Sequence, residues 1–382
     1  MKEQRAATAP ANTTDAAPTW GALLPLCLVA FAGQVHVNTI GPLAVAMARD
    51  LGVSIPLVGQ VSTMIAAATA LVGLVVGPLA DHLGYRRVIL AGLGLLAASA
   101  VGMGLAPAYP VLLAGGLLSG IGATVLGLVF AAAARYRGDG RRVALSRVQS
   151  VQTSGSILGA PALTALAATF SWRWGYAVVL VAYLAAIALI ARALPPDPRP
   201  ARRFTPRATL VAYRPLLGDR RMLALYAANA LRQLGWTGPF LYVGAFFTAR
   251  HGLTLQQVGL AYMVASAGML AGNAAAGRWL AGRDLRRAFA STVALLALAW
   301  LAVFALPLPA ALCVAATAVA ACASGFSWIA MTTLLATETP EGLGTTMALN
   351  NTAAATGAAA GGAAIGALIG LGGYTLLGVM LL

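Results

Sequence analysis

AFASTVALLALAWLAVFALPLPAALCVAATAVAACASGFSWIAMTTLLAT, from Ala288 to Thr337, contains no Asp, Glu, Lys or Arg. A helix needs about 20 apolar residues to cross the hydrocarbon core of a bilayer. In lipid, only helices satisfy every backbone group over such lengths. This stretch is long enough to cross twice, and LPLPA at 306–310 supplies the prolines for a return at the membrane surface. Eight more stretches are free of these charges: Ala16–Ala48, Leu51–Ala80, Val88–Ala134, Val148–Trp172, Trp174–Ala191, Gln233–Ala249, His251–Gly277 and Gly342–Leu382. The chain reads as an all-α membrane protein.

Composition agrees. With 60% hydrophobic and 9% charged residues, an ordinary soluble domain is excluded. The net charge of +15 does not point to nucleic acid, because the arginines sit at the ends of apolar segments instead of clustering on one face. Cys27, Cys313 and Cys322 all fall within apolar segments, so neither a disulfide framework nor a metal site is expected. No resident cofactor is expected either.

Twelve helical segments are predicted, at about 20–47, 55–80, 87–106, 109–134, 145–170, 174–194, 222–249, 255–281, 286–306, 308–336, 343–369 and 372–382. With the amino terminus in the cytoplasm, 21 of the 25 basic residues fall in cytoplasmic loops and ends. Arg49, Arg173 and Arg250 fall outside, and Arg232 lies within a helix. That asymmetry is the positive-inside pattern. The organisation is a cytoplasmic tail (1–19), a six-helix bundle (20–194), a Pro- and Arg-rich cytoplasmic linker (195–221) and a second six-helix bundle (222–382). The last segment, Gly372–Leu382, would extend only about 16 Å as a helix, about half a bilayer, so helix 12 reads as incomplete or truncated.

The halves repeat at a spacing of 200. Gly52, Val58, Gly59, Gly77, Arg86 and Arg87 recur as Gly252, Val258, Gly259, Gly277, Arg286 and Arg287. Gly41–Pro42 recurs nearby as Gly238–Pro239. Such a repeat places a pseudo-twofold axis along the membrane normal and a substrate path between the halves.

Between segments 2 and 3 stands GPLADHLGYRR, Gly77 to Arg87. It resembles the signature loop of the major facilitator superfamily at Gly77, Leu79, Ala80, Asp81, Gly84, Arg86 and Arg87. The resemblance spans nearly the whole chain. It implies two pseudo-symmetric six-helix bundles around a central cavity, with helices 1, 4, 7 and 10 lining it. It also implies that Gly77, Asp81, Gly84, Arg86 and Arg87 form a conformational latch. On the residues, Gly77 is expected to let two helices approach closely, and Asp81 to face a helix amino terminus. In the second copy, GRWLAGRDLRR, Ala281 replaces the aspartate, so latching should be asymmetric.

GSILGAPAL in segment 5 (Gly155, Gly159, Pro161) resembles the Gly/Pro motif of the family's proton-coupled drug antiporters. Trp172-Arg173-Trp174 resembles their segment-closing Trp-Arg-Trp. Together they imply export. Helix 4 departs from the family: Gly116 occupies the place of an arginine implicated in proton coupling. All ten acids lie at loops or helix ends, with Asp50 the nearest candidate for a coupling carboxylate.

Two ionisable groups lie near mid-membrane. His36 belongs to the polar string Gln34, His36, Asn38 of segment 1. Arg232, in segment 7, stands beside Gln233 and one turn from Asn229 and Trp236. A mid-bilayer arginine costs at least about 2.5–3.5 kcal/mol and marks a functional site by default. The expected substrate-binding set is Gln34, His36, Asn38, Asn229, Arg232, Gln233, Trp236 and, from segment 10, Trp328. The expected protein is a monomeric transporter of the bacterial inner membrane, not an enzyme. It would export a small organic molecule or drug in exchange for protons, with the proton gradient as the energy source. Uptake symport and uncoupled facilitation for a polar or anionic metabolite are the alternatives, and a membrane scaffold is a remote one.

Overall fold

The computed structural model describes residues 18–133, 136, 138–193, 213–338 and 343–380. The tail 1–17 and the linker residues 194–212 lie outside them. All regular structure among the described residues is helical: α1 (Trp20–Val37), α2 (Ile40–Leu51), α3 (Ile55–Leu83), α4 (Tyr85–Gly104), α5 (Tyr109–Ala123), α6 (Val125–Ala133), α7 (Gly138–Thr169), α8 (Trp172–Ala193), the short α9 (213–218), α10 (Arg220–His251), α11 (Leu255–Trp279), α12 (Leu285–Ala305), α13 (Ala310–Glu338) and α14 (Leu343–Met380).

Nine stretches of the described residues are long and apolar enough to cross a membrane. α7 and α10 are not among them. Both carry polar residues through their middles, and those residues face a central cavity: Gln149, Gln152, Thr153 and Ser156 on α7, Arg232, Gln233 and Thr237 on α10. The least lipid-like helices are the ones that line the polar path.

Three boundaries differ from the sequence reading, each for a local reason. Segment 1 is broken into α1 and α2 at Asn38–Thr39, where Thr39 Oγ1 donates to Val35 O (2.9 Å) and Pro42 brings no N–H to the helical ladder. Segment 4 is interrupted at Thr124, whose hydroxyl donates to Ile121 O (2.7 Å). α14 runs through 370–371 and turns at Gly373, with φ 69°. The linker's end is ordered: Tyr213 of α9 is buried, and its hydroxyl donates to Leu74 O of α3 (3.0 Å).

Part of the repeat has a plain physical meaning. α2 and α10 both stop at a glycine in the left-handed region, Gly52 (φ 62°) and Gly252 (φ 66°). In each, the next N–H returns to the helix: Val53 N to Ala48 O (3.0 Å), and Leu253 N to Phe247 O (3.3 Å). A side chain is disfavoured at such a cap, and glycine is not.

α1 to α8 pack on one another, as do α10 to α14. Across the two groups, α3 runs along α14, α7 along α11, and α2 against α10. We call the end bearing Arg86, Arg87, Arg286 and Arg287 the basic end, and the end bearing Gly52 and Gly252 the far end.

At the far end Asp50 is a clamp. Its Oδ2 accepts from Trp172 Nε1 (3.0 Å) and is ion-paired with Arg173, whose Nη2 donates to Ala106 O (2.8 Å). The arginine also lies over the Trp172 ring at 4.5 Å. α2, α8 and the end of α4 are thereby tied together. The pair is part-exposed, so its contribution is discounted to below about 1 kcal/mol. Asp50→Asn keeps an acceptor for Trp172 and should transport at close to the parental rate. A flattened pH profile in a vesicle transport assay of that variant would instead make Asp50 a coupling acid.

Candidate functional site

A cavity lies between the two halves, in two connected compartments. The upper one, about 450 Å³, reaches toward the far end and is walled mainly by apolar groups, among them Ile65, Leu126, Trp236, Phe240 and Tyr262, with Gln34, Asn38, Gln233 and Thr237 at its edge. The lower one, about 420 Å³, extends toward the basic end and is more polar, lined among others by Gln149, Gln152, Arg232, Asn273, Ser324, Trp328 and Asn351. Gln34, Ser156, Gln233, Trp236, Ser266 and Met269 line both.

Arg232 is the hub. It is 2% exposed. Its Nε donates to Asn229 Oδ1 (3.0 Å) and its Nη2 to Gln233 Oε1 (2.6 Å). Nη1 has only long contacts, to Ser324 O (3.5 Å) and Oγ (3.4 Å), and the guanidinium stands 5.4 Å over the Trp328 ring. All of these acceptors are neutral, so the donors are largely satisfied while the charge is not balanced. The network fixes its neighbours. Gln233, with its oxygen held, turns Nε2 to Thr237 Oγ1 (2.8 Å). Asn229 donates to Asn350 Oδ1 (2.7 Å) between α10 and α14.

Of the residues expected to bind substrate, Gln34, Asn38, Arg232, Gln233, Trp236 and Trp328 do line the cavity. Asn229 does not: it is fully buried behind Arg232 and acts on the site through it. His36 does not either, a correction to the sequence reading. It is 1% exposed and faces α8, with Nδ1 3.0 Å from the Tyr183 hydroxyl and its ring edge-on to Tyr176. Gln34 and Asn38, two residues either side of it, point instead to the cavity. His36→Phe removes the partner of a buried hydroxyl at a cost of about 1–3 kcal/mol. It should lower thermal stability and leave substrate affinity unchanged, measured on the same preparation.

Sequence reasoning missed the face that α7 presents. Gln149, Gln152, Thr153 and Ser156 follow the 3, 4, 7 spacing of one helical face, so the signal was there to count. Asn273 on α11, whose Oδ1 is buried without a partner, carried no such pattern.

Gly116 is placed tightly against α3. A Cβ there would lie 2.8 Å from Val61 Cγ1 and 3.3 Å from Val61 O. That position has no room for an arginine and does not line the cavity. Phe326 packs beside Ala276, Leu280 and Ala330, away from the path.

The cavity is sealed at the far end by tyrosines set into glycines. The Tyr242 hydroxyl donates to Gly362 O (3.2 Å) and Pro56 O (3.5 Å), and it occupies the space that a Cβ would need at Gly59 of α3 and Gly366 of α14. Tyr262 donates to Phe240 O (2.8 Å) and packs against Gly41 of α2, where a Cβ would meet its oxygen at 2.8 Å. One part of the segment-5 motif, Pro161, belongs to this seal. Gly155 and Gly159 let α7 lie on Phe31, Gln34 and Val35 of α1, while Pro161 and Thr164 meet Gly259 of α11 across the halves.

The basic end is looser. Among the described residues, an added Cβ at Gly77, or at its repeat Gly277, would meet nothing within 4 Å, so the close helix contact expected at Gly77 is not made by them. Gly84 has φ 93° and joins α3 to α4. Arg86 Nη2 donates to Ala191 O at the end of α8 (2.6 Å), and Arg87 is exposed. The Asp81 side chain lies outside the described residues. In the second copy, Asp284 caps α12 by accepting from Arg286 N and Arg287 N, and Arg286 pairs with Glu338 (2.7 Å).

Solved structures share this architecture. The nucleoside transporter NupG (D323A mutant) is 14% identical, covering 94% of this chain and 96% of that one at a TM-score of 0.79. A bacterial homologue of the human lysosomal transporter Spinster, in an inward-facing and unoccupied conformation, is 16% identical over 91% and 82% at 0.72. The human organic anion transporter MFSD10 (TETRAN) is 18% identical over 98% and 97% at 0.67. At these identities the likeness shows the fold. A curated relative, the uncharacterized MFS-type transporter YceJ of Bacillus subtilis (strain 168), is 24% identical over 242 residues, 61% of this chain and about 60% of that relative's length. The model of the Major Facilitator Superfamily matches residues 26–379. The two bundles, the cavity between them and that match say one thing: this chain belongs to the Major Facilitator Superfamily.

Proposed function

We propose that the protein exports a small organic molecule from the bacterial cytoplasm by alternating access, in exchange for protons, as a monomer in the inner membrane. The observation that carries the reading is the cavity itself, closed between Tyr242, Tyr262 and their glycines at the far end and extending toward the basic end. With the basic end inside, as the charge asymmetry indicates, a cytoplasmic substrate enters below and meets Arg232, Gln233, Gln34 and Trp328. Rocking of the halves would then open the far end and bring the Gly77–Arg87 loop into its latching role.

The test is accumulation of a substrate panel in inverted vesicles from a host lacking its own exporters, energised with and without a protonophore. Accumulation that the protonophore collapses is the expected result. Concentration into right-side-out vesicles would replace export by uptake. A second reading, an uncoupled facilitator, is favoured by one observation: the helix-4 position of the family's coupling arginine is Gly116, packed against Val61. Equilibration that ignores the protonophore would establish it.

A further inference from the structure

We infer that the ligand of this cavity is an amphipathic organic anion, with a planar aromatic body and one acidic group at one end. The inference rests on the central cavity being the transport site, and it adds the chemical class that the two compartments select.

Among the described residues the lower compartment contains one formal charge, that of Arg232. None of the acids whose side chains are described, Asp50, Asp219, Asp284 and Glu338, lines either compartment. The guanidinium is nearly inaccessible to solvent, yet every atom holding it is neutral. Burying a charge without a counter-charge is costly, and an anion bound there gains what the protein does not supply. The weakest-held nitrogen, Nη1, is the one whose acceptors stand at 3.4–3.5 Å, and Ser324 and Trp328 beside it both line the compartment.

The upper compartment selects differently. Trp236 stacks on Phe240 at 4.5 Å and 22°, and Phe240 meets Tyr262 edge-on at 4.9 Å. These three rings form an aromatic wall along α10 and α11, stacked and edge-on to one another, and Ile65 and Leu126 of the other half line the same compartment. Flat aromatic groups gain from such walls beyond their buried area. Trp236 lines both compartments, so one molecule can span them. Along the helix Trp236 stands about 6 Å and Phe240 about 12 Å from Arg232, which brackets the reach between head and ring.

The test is calorimetric binding to the full-length protein in nanodiscs, with four probes: 2-naphthoate, 2-naphthamide, cyclohexanecarboxylate and 2-naphthylmethylammonium. The naphthoate is expected to bind about tenfold tighter than each of the others. Arg232→Lys should keep the preference for the acid over the amide, while Arg232→Gln should reduce it below about twofold. Because Arg232 also holds its neighbours, Asn229→Asp provides a variant that keeps the acceptor for Arg232 Nε and adds an internal counter-charge, with the Asn350 amide, whose buried Nδ2 has no partner, able to turn and donate to it; it should abolish the preference as well. Trp236→Leu combined with Phe240→Leu should weaken both neutral and acidic naphthyl probes equally. The inference is overturned if the amide or the ammonium binds as tightly as the acid, if Asn229→Asp leaves the preference intact, or if no naphthyl probe binds the folded protein. Binding is read without any gradient, so a selective protein that fails to export would overturn the transport direction and not this assignment.

Discussion

Gly59→Val should cut transport by about tenfold or more while leaving an inserted, folded protein. The Tyr242 hydroxyl stands where the new Cβ would go, with Gly366 closing the opposite side and no solvent around the ring. The tyrosine cannot yield, because it is held between α3 of one half and α14 of the other. Overpacking of this kind costs about 1–3 kcal/mol. Here that penalty falls only on the state in which the far end is closed. Each 1.4 kcal/mol shifts the balance between the two states about tenfold, so a transport rate reduced by about tenfold or more is expected. The penalty should be relieved in Gly59→Val/Tyr242→Ala, which recovers part of the rate. Gly94→Ala on α4, where a Cβ would meet nothing within 4 Å, should behave as the parent. Parental transport by Gly59→Val in the vesicle assay would show that the far end does not close on Tyr242.

Asn229→Ala should be the most destabilising single change at the site. Asn229 is fully buried and accepts from Arg232 Nε while donating to Asn350 Oδ1. Its loss removes a hydrogen bond to a charged group, about 1.5–3 kcal/mol, and leaves the Asn350 oxygen unpaired, about 1–3 kcal/mol. A loss of about 3 kcal/mol should appear as a melting transition several degrees lower in detergent. A transition within a degree of the parent would mean that Arg232 is held by Gln233 and Ser324 alone.

Both predictions concern contacts between helices, and that is where the sequence stopped being legible. The sequence alone determined the class, the crossing segments, the paired halves and the superfamily, since these depend on apolar length, on charge at segment ends and on the Gly77–Arg87 loop. It also named Arg232 and Gln233, because a charge in the middle of a membrane segment is conspicuous on its own helix. Which way a side chain on a helix faces is another matter. Gln34, His36 and Asn38 read as one polar string, yet successive residues on a helix stand about 100° apart. Only the packing of α1 against α8 turned His36 away from the cavity that Gln34 and Asn38 line. Glycines divided in the same way. Gly52 and Gly252 are needed by the local backbone, and their recurrence was visible in the repeat. Gly59 and Gly259 recur as well, but they, like Gly116, are needed by what another helix brings against them, and Gly77 meets no close contact among the described residues. Backbone geometry and transfer to lipid are properties of a single segment. The far-end seal and the two-pole cavity arise where segments distant in the chain meet, so only the tertiary structure could decide them.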